Sequence, residues 1–253
     1  YIFDLYRSKM MPSRAFQWRT KMMGPVERWH EIRAPVEFDP SAYDSQIRMD
    51  VVRTHSSDKW FDPHRESICQ VLNAFANTNI GFGYPQGLNF LVFPLWKVYY
   101  TSIPECAMLD TYYSLQFLVG ALLSVYPVDK SDSAALDQIC VICAVVKLRS
   151  TTKYPNLRKK IFSEEYEPLI ISLVSRMVPT MFANVYAVDD CVVLWDSILT
   201  NDSVLDAVIQ CMVNLICLHH NVFEHLSLES CMVVVQESVP LTLNILSNSG
   251  YML

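Results

Sequence analysis

The run Val204-Leu205-Asp206-Ala207-Val208-Ile209-Gln210-Cys211-Met212-Val213-Asn214-Leu215-Ile216 decides the fold class. Its apolar residues at 204, 205, 208, 209, 212, 213 and 216 return every three or four positions, which lays one stripe along a helix. The same period recurs upstream. Ile68, Val71, Leu72 and Phe75 form one stripe, and Leu88, Leu91, Val92, Leu95 and Trp96 another. Leu109, Tyr112, Tyr113, Phe117, Leu118 and Leu122 follow, then Leu136, Ile139, Cys140, Cys143 and Val146, with Lys147 beside them. No regular strand alternation and no internal repeat is evident. The short run Cys191 to Leu194 reads equally as strand or helix. The expectation is an all-α protein, a single multi-helix domain over residues 1–253 without a distinct linker.

Start and stop signals fit that pattern. Asp62 before Pro63 reads as an N-cap with proline at the first helical position. The predicted helix runs from Asp62 to about Phe75. Ser102 and Glu105 have capping-box spacing, and Ser163 precedes Glu164 and Glu165, acids suited to a first turn. Pro127, Pro155 and Pro179 interrupt or end patterns. The uncharged stretch from Thr111 to Val128 reads as a buried core helix; its Ser114, Gln116, Ser124 and Pro127 argue against a membrane span.

Composition excludes several classes of function. The chain is 51% apolar, ample for a core, and only 18% charged, so part of its surface is open to cover by a partner. The net charge of −6 gives no general attraction to nucleic acid. The one short basic cluster, Lys153 with Arg158, Lys159 and Lys160, reads as a solvated helix face or a binding patch. Eight cysteines lie mostly inside apolar helical patterns, as buried free thiols do, and fit a reducing compartment. Cys140 and Cys143 form a lone CxxC without a second ligand pair or a βαβ context. The histidines show no metal-binding spacing, with His219 and His220 read as a helix end, and no Walker A motif is present. Asn201-Asp202-Ser203 is formally a glycosylation sequon, without meaning in a cytosolic chain. No leader pattern opens the chain, whose first residue is Tyr1.

Two short segments carry candidate chemistry. One is Ile47-Arg48-Met49-Asp50-Val51-Val52-Arg53-Thr54; the other is Tyr84-Pro85-Gln86-Gly87 with Leu88 and Asn89 behind it. Glycine is scarce, six in all, yet three fall at 81, 83 and 87. That concentration marks a bend whose backbone a side chain would obstruct, or an ordinary helix connection. Arginine and glutamine are poor acid-base groups, since one stays charged and the other does not titrate. Their chemistry suits something else. A guanidinium fork meets developing phosphate charge, and a carboxamide orients an attacking water. Phosphoryl transfer from a nucleoside triphosphate needs these supplies and little covalent chemistry. Taken alone, Asp50 and Arg53 read as readily as an ordinary ion pair.

The two segments together resemble the TBC (Tre-2/Bub2/Cdc16) domain family, the GTPase-activating proteins for Rab GTPases. Ile47, Asp50 and Arg53 match the family's IxxDxxR, with Thr54 in its frequent next position. Tyr84, Gln86 and Gly87 match YxQG, and Asn89 is a common later match. Arg14 and Trp18, with Gly24 after them, meet an upstream RxxxW-like element, while Phe182 and the pair Trp195-Asp196 resemble a late family segment. The likeness covers about residues 14–220. Pro85 stands where a cysteine is common; Val193 and Leu194 precede the late Trp-Asp pair where the family has an arginine; and Met177 replaces an aromatic.

The resemblance implies an all-helical TBC domain with a groove for a Rab. It makes Arg53 an arginine finger and Gln86 a glutamine finger, both inserted in trans, with Asp50 holding the arginine loop. Tyr84 and Gly87 become shapers of the glutamine loop. The expected partner is a Rab-family small GTPase in its GTP state, with no nucleic acid and no transmembrane segment. No cofactor of its own is expected; GTP and Mg2+ would be bound by the Rab. The place of action implied is the cytoplasm, at the cytosolic face of endomembranes, with recruitment through the Rab or flanking regions. A catalytically inactive Rab-binding or scaffolding domain, or an unrelated helical domain, is the alternative.

Overall fold

The structure, a computed structural model, describes residues 14–25, 36–126 and 134–225. Among these residues every regular element is helical. Contacts gather the chain into two compact units, Tyr1–Ala121 and Leu122–Leu253.

The first unit contains α1 (Arg14–Met23), α2 (Asp44–Arg53), a 3-10 turn (Lys59–His64), α3 (Arg65–Thr78), α4 (Leu88–Ser102) and α5 (Ala107–Ala121). The stripe Leu88, Leu91, Val92, Leu95 and Trp96 is buried, and so are Asn89, Phe93, Pro94, Val98 and Tyr99. A helix apolar on nearly every side belongs inside a bundle, and α4 packs against α1, α2, α3 and α5. Inside this unit Arg19 of α1 meets Asp110 of α5 at 2.9 Å, with both side chains almost wholly buried.

The second unit contains α6 (Ala134–Lys153), α7 (Arg158–Ile161), α8 (Glu167–Met177), α9 (Val188–Leu199), α10 (Val204–Leu218) and α11 (His220–His225). The run of apolar residues from Val204 to Ile216 lies in α10. Ser203, the last residue of the formal sequon, is its N-cap and accepts a hydrogen bond from the Asp206 amide at 3.2 Å. The ambiguous Cys191–Leu194 run is helical, inside α9. Phe182, fully buried and left-handed at φ 66°, sits beside Met181, whose carbonyl takes the Trp195 indole N–H at 2.9 Å.

Several local expectations shift. Asp62 does not start the helix after it: Asp58 caps a 3-10 turn by accepting from the Trp60 amide, Pro63 lies within that turn, and α3 begins at Arg65. Ser102 closes α4, and a 3-10 turn at Pro104–Cys106 precedes α5. Ser163, Glu164 and Glu165 belong to a turn, and α8 starts at Glu167. The Thr111–Val128 stretch breaks at Ala121 into a 3-10 turn at Leu123–Val125; Pro127 and Val128 lie outside the described residues. The CxxC pair divides, Cys143 buried and Cys140 exposed. Leu136, Val141 and Leu148 of α6 are exposed as well. Burial pushes the Cys143 and Cys211 thiols up to about 12, which leaves little thiolate at neutral pH. Cys231 lies outside the described residues.

Replacing Asp110 with Ala takes the carboxylate away from the buried Arg19 guanidinium and is expected to cost about 3–5 kcal/mol, read by denaturant unfolding. The pair Arg19→Met with Asp110→Leu should recover most of that loss, because the desolvation cost leaves together with the attraction.

Candidate functional site

The sequence-predicted site residues all fall in the first unit. Arg53 is the last residue of α2 and is exposed. Gln86 lies in the loop before α4 and is exposed too. Neither has a hydrogen-bond or ion-pair partner among the described residues. Ile47 faces the core, fully buried, and anchors the inner side of α2.

Four further residues tie the two segments together. The Tyr84 hydroxyl donates to Asp50 Oδ2 at 3.1 Å. Asn89 Nδ2 donates to Thr54 Oγ1 at 2.6 Å, with both residues buried. The Thr54 hydroxyl in turn donates to the Asp50 carbonyl at 2.7 Å, and so does the Thr54 amide at 3.0 Å. Residues 50 and 54 bracket Arg53, and residues 84 and 89 bracket Gln86. Asp50 therefore receives the tyrosine of the other motif, where the sequence alone left its partner open. Burial, with the Asp50 carboxylate beside it, raises the Tyr84 hydroxyl well above the usual tyrosine range and keeps it a donor.

The glycines of the loop meet different demands. Gly87 is the N-cap residue of α4 at φ 98°, a left-handed conformation that disfavours a side chain. Gly83, at φ 66°, lies under the Tyr43 ring: an added Cβ would sit 2.5 Å from the Tyr43 hydroxyl oxygen. Gly81 has open space and meets no such demand. Pro85 supplies a carbonyl to the Leu88 amide at 3.3 Å, so the proline contributes a turn bond while lacking an N–H of its own.

Sequence reasoning missed a polar lattice on α2. Arg48 forks onto Glu66 of α3 at 2.6 and 3.0 Å and donates to Asp44 at 2.8 Å. Asp44 also accepts from Asn73 at 2.8 Å, and Asn73 Oδ1 accepts from the Ser41 amide and hydroxyl. The Arg48 hydrogen bonds hold the Asp44 and Glu66 carboxyls below their ordinary values of 3.8 and 4.5. The signal available in sequence was the i, i+4 pair Asp44 and Arg48; the Glu66 partner needed the fold.

A family model for the Rab-GTPase-TBC domain matches residues 27–226. The chain belongs to this family. Among solved structures, the crystal structure of the Ypt/Rab-GAP domain of Gyp1p is similar with a TM-score of 0.69 at 15% identity, over 98% of this chain and 80% of that one. The Chlamydomonas flagellar RabGAP TBC domain is similar with a TM-score of 0.67 at 16% identity, over 97% and 79%. At such identities these two likenesses speak for the fold. A comparison with curated proteins gave no match. Among the described residues no helix is long and apolar enough to cross a membrane, and no group of three or more His, Cys, Asp and Glu is placed to hold a metal ion.

Tyr84→Phe deletes one hydrogen bond to a carboxylate and should lower stability by about 1.5–3 kcal/mol, measured by urea unfolding. A second expectation concerns acid. Asp44 and Glu66 carry depressed values, so the unfolded chain binds more protons than the native one as pH falls. Their contribution is complete above the ordinary carboxylate range and fades as the pH drops through it and below. Arg48→Met should flatten that part of the stability–pH curve, and high salt should flatten it too because the cluster is largely exposed.

Proposed function

We propose that this domain stimulates GTP hydrolysis on a GTP-loaded Rab by inserting Arg53 and Gln86 in trans. The observation that supports the reading is the double tie between their segments. Tyr84 to Asp50 and Asn89 to Thr54 hold the two backbones side by side, while the two side chains between these anchors stay exposed and unengaged. A pair of side chains meant for another protein's nucleotide has to be presented in this way: fixed at the base and free at the tip.

The chemistry follows from the residue types. As the γ-phosphoryl group leaves, negative charge spreads over its oxygens and the bridging oxygen. The Arg53 guanidinium meets that charge with planar donors. The Gln86 carboxamide oxygen accepts a hydrogen bond from the attacking water and directs the water's lone pair in line with the leaving group. Neither residue needs to titrate. GTP and Mg2+ belong to the Rab, and any approach to a membrane comes through the Rab or through flanking regions.

Single-turnover phosphate release on a panel of GTP-loaded Rabs tests this. Arg53→Ala should lower the stimulated rate by about 10³- to 10⁵-fold. Arg53→Lys should recover little, because an ammonium lacks the fork. Gln86→Ala should also lose most of the stimulation, and the two losses should combine less than additively because they act on one transition state. Changing the Rab's own switch glutamine should leave much of the stimulated rate. Unchanged rates in both alanine variants, on a Rab that the wild type stimulates, would refute the two-finger mechanism and favour a binding or scaffolding role.

A further inference from the structure

Arg65, the first residue of α3, reaches back to the end of α2. Its Nη1 donates to the carbonyls of Val51 and of Thr54, the latter at 3.0 Å. Its Nη2 donates to the His55 carbonyl at 3.3 Å, and its Nε to Asp62 Oδ1 at 3.3 Å. The side chain is only 15% exposed, and the guanidinium carbon stands 5.9 Å from the centre of the Phe93 ring. The three carbonyls lie two residues before Arg53, one after it and two after it.

That turn needs such a partner. The last carbonyls of a helix have no intrahelical donor. Directly after Arg53 the chain turns sharply: Thr54 is extended at ψ 127°, and His55 is left-handed at φ 45°. A non-glycine residue at positive φ persists where its surroundings hold it. The His55 ring packs 5.3 Å from Phe93 and 6.1 Å from Phe90, which fixes the side chain, while the His55 carbonyl accepts from the Asp58 amide at 3.0 Å as well as from Arg65. A guanidinium serves three carbonyls from one rigid plane, and its charge also favours a helix C-terminus.

The geometry points to Arg65 as the positioning residue of Arg53: it clamps the turn so that the finger leaves α2 along one fixed direction. This role rests on the arginine-finger reading above. Arg65 touches neither Rab nor nucleotide in it; it sets the backbone from which Arg53 extends. A displacement of about 1 Å in a reacting group can cost about 100-fold in rate, so loosening this turn has a kinetic signature.

The test compares wild type, Arg65→Met and Arg65→Lys by two measurements. The first is amide hydrogen exchange. Arg65→Met should speed exchange at residues 54–58 while the amides of α4 and α5 stay protected, and Arg65→Lys should fall between. The second is single-turnover GTP hydrolysis on a stimulated Rab. Arg65→Met should lower the maximal rate by about 10- to 100-fold with the half-saturating concentration within about threefold, and Arg65→Lys should restore part of the rate. Unaltered exchange at 54–58 overturns the clamp. Faster exchange with an undiminished maximal rate overturns the positioning role. Parallel loss of rate, affinity and protection throughout α4 and α5, in both variants, overturns it in favour of a general folding contribution. A wild-type domain that stimulates no Rab on the panel overturns the functional reading and the finger with it, while the exchange data still decide whether Arg65 holds the turn.

Discussion

The hydrogen bond from Asn89 to Thr54 joins residues 35 positions apart, and both groups are buried. Losing the Thr54 hydroxyl would take this acceptor from the buried Asn89 amide, which costs more than the bond itself contributes. The register between the end of α2 and the start of α4 is therefore specified by chemistry as well as by packing. Thr54 passes the constraint on, because its hydroxyl also donates to the Asp50 carbonyl, while the Asp50 carboxylate accepts from Tyr84. Arg65 closes the same turn from α3. Residues 50–55 are thus held from three elements: the glycine-rich loop, α3 and α4. Arg53 stands in the middle of them with its own side chain unengaged.

The loop on the other side is constrained by shape. Gly87 must be left-handed for α4 to begin where Asn89 can reach Thr54. Gly83 must lack a Cβ for Tyr43 to lie across it, and Tyr43 and Tyr84 have ring centres 6.5 Å apart. These requirements interlock. A Cβ at 83 would displace Tyr43, at the N-terminal end of α2, and press on the neighbour of Tyr84, whose hydroxyl returns to Asp50 near the other end of that helix. The concentration of glycine at 81, 83 and 87 is explained at two positions by this geometry, and Gly81 has no such steric demand.

Much of this was legible in the residues, for identifiable reasons. The period of three and four in residues 204–216 describes a helix that the structure forms, and the stripe from Leu88 to Trp96 is buried as its spacing implies. Helix beginnings were less legible. Asp62-Pro63 carries a start signal, but Asp58 offers an acceptor to the Trp60 amide first and a 3-10 turn takes the segment. The α6 stripe fails at Leu136 and Cys140, which are exposed while Ile139, Cys143 and Val146 are buried; periodicity states that a face exists, and packing chooses its centre. At the site, the family resemblance singled out Arg53, Gln86 and the four neighbours that tie their segments. It could not reveal Arg65 or Glu66, because an arginine's partners among backbone carbonyls leave no mark in sequence, and an ion pair between two helices depends on how those helices pack.

The division between fixed and free groups also bears on energy. A side chain that must enter another protein's active site loses rotamer freedom there, on the order of 1.5–2 kcal/mol for a long polar residue. That loss cannot be avoided in advance without tying up the group's own donors, which would then have to be released on docking. Backbone freedom is different: each residue ordered only on docking would add about 1–2 kcal/mol. The backbone beside Arg53 and Gln86 is held through Tyr84, Asn89 and Arg65, none of which draws on the tips of those two side chains. Under the proposed function, the conformational cost at these two segments then falls on the two side chains. A segment as irregular as residues 53–55 could not remain ordered by helix propensity alone; its polar groups had to be satisfied from elsewhere in the fold.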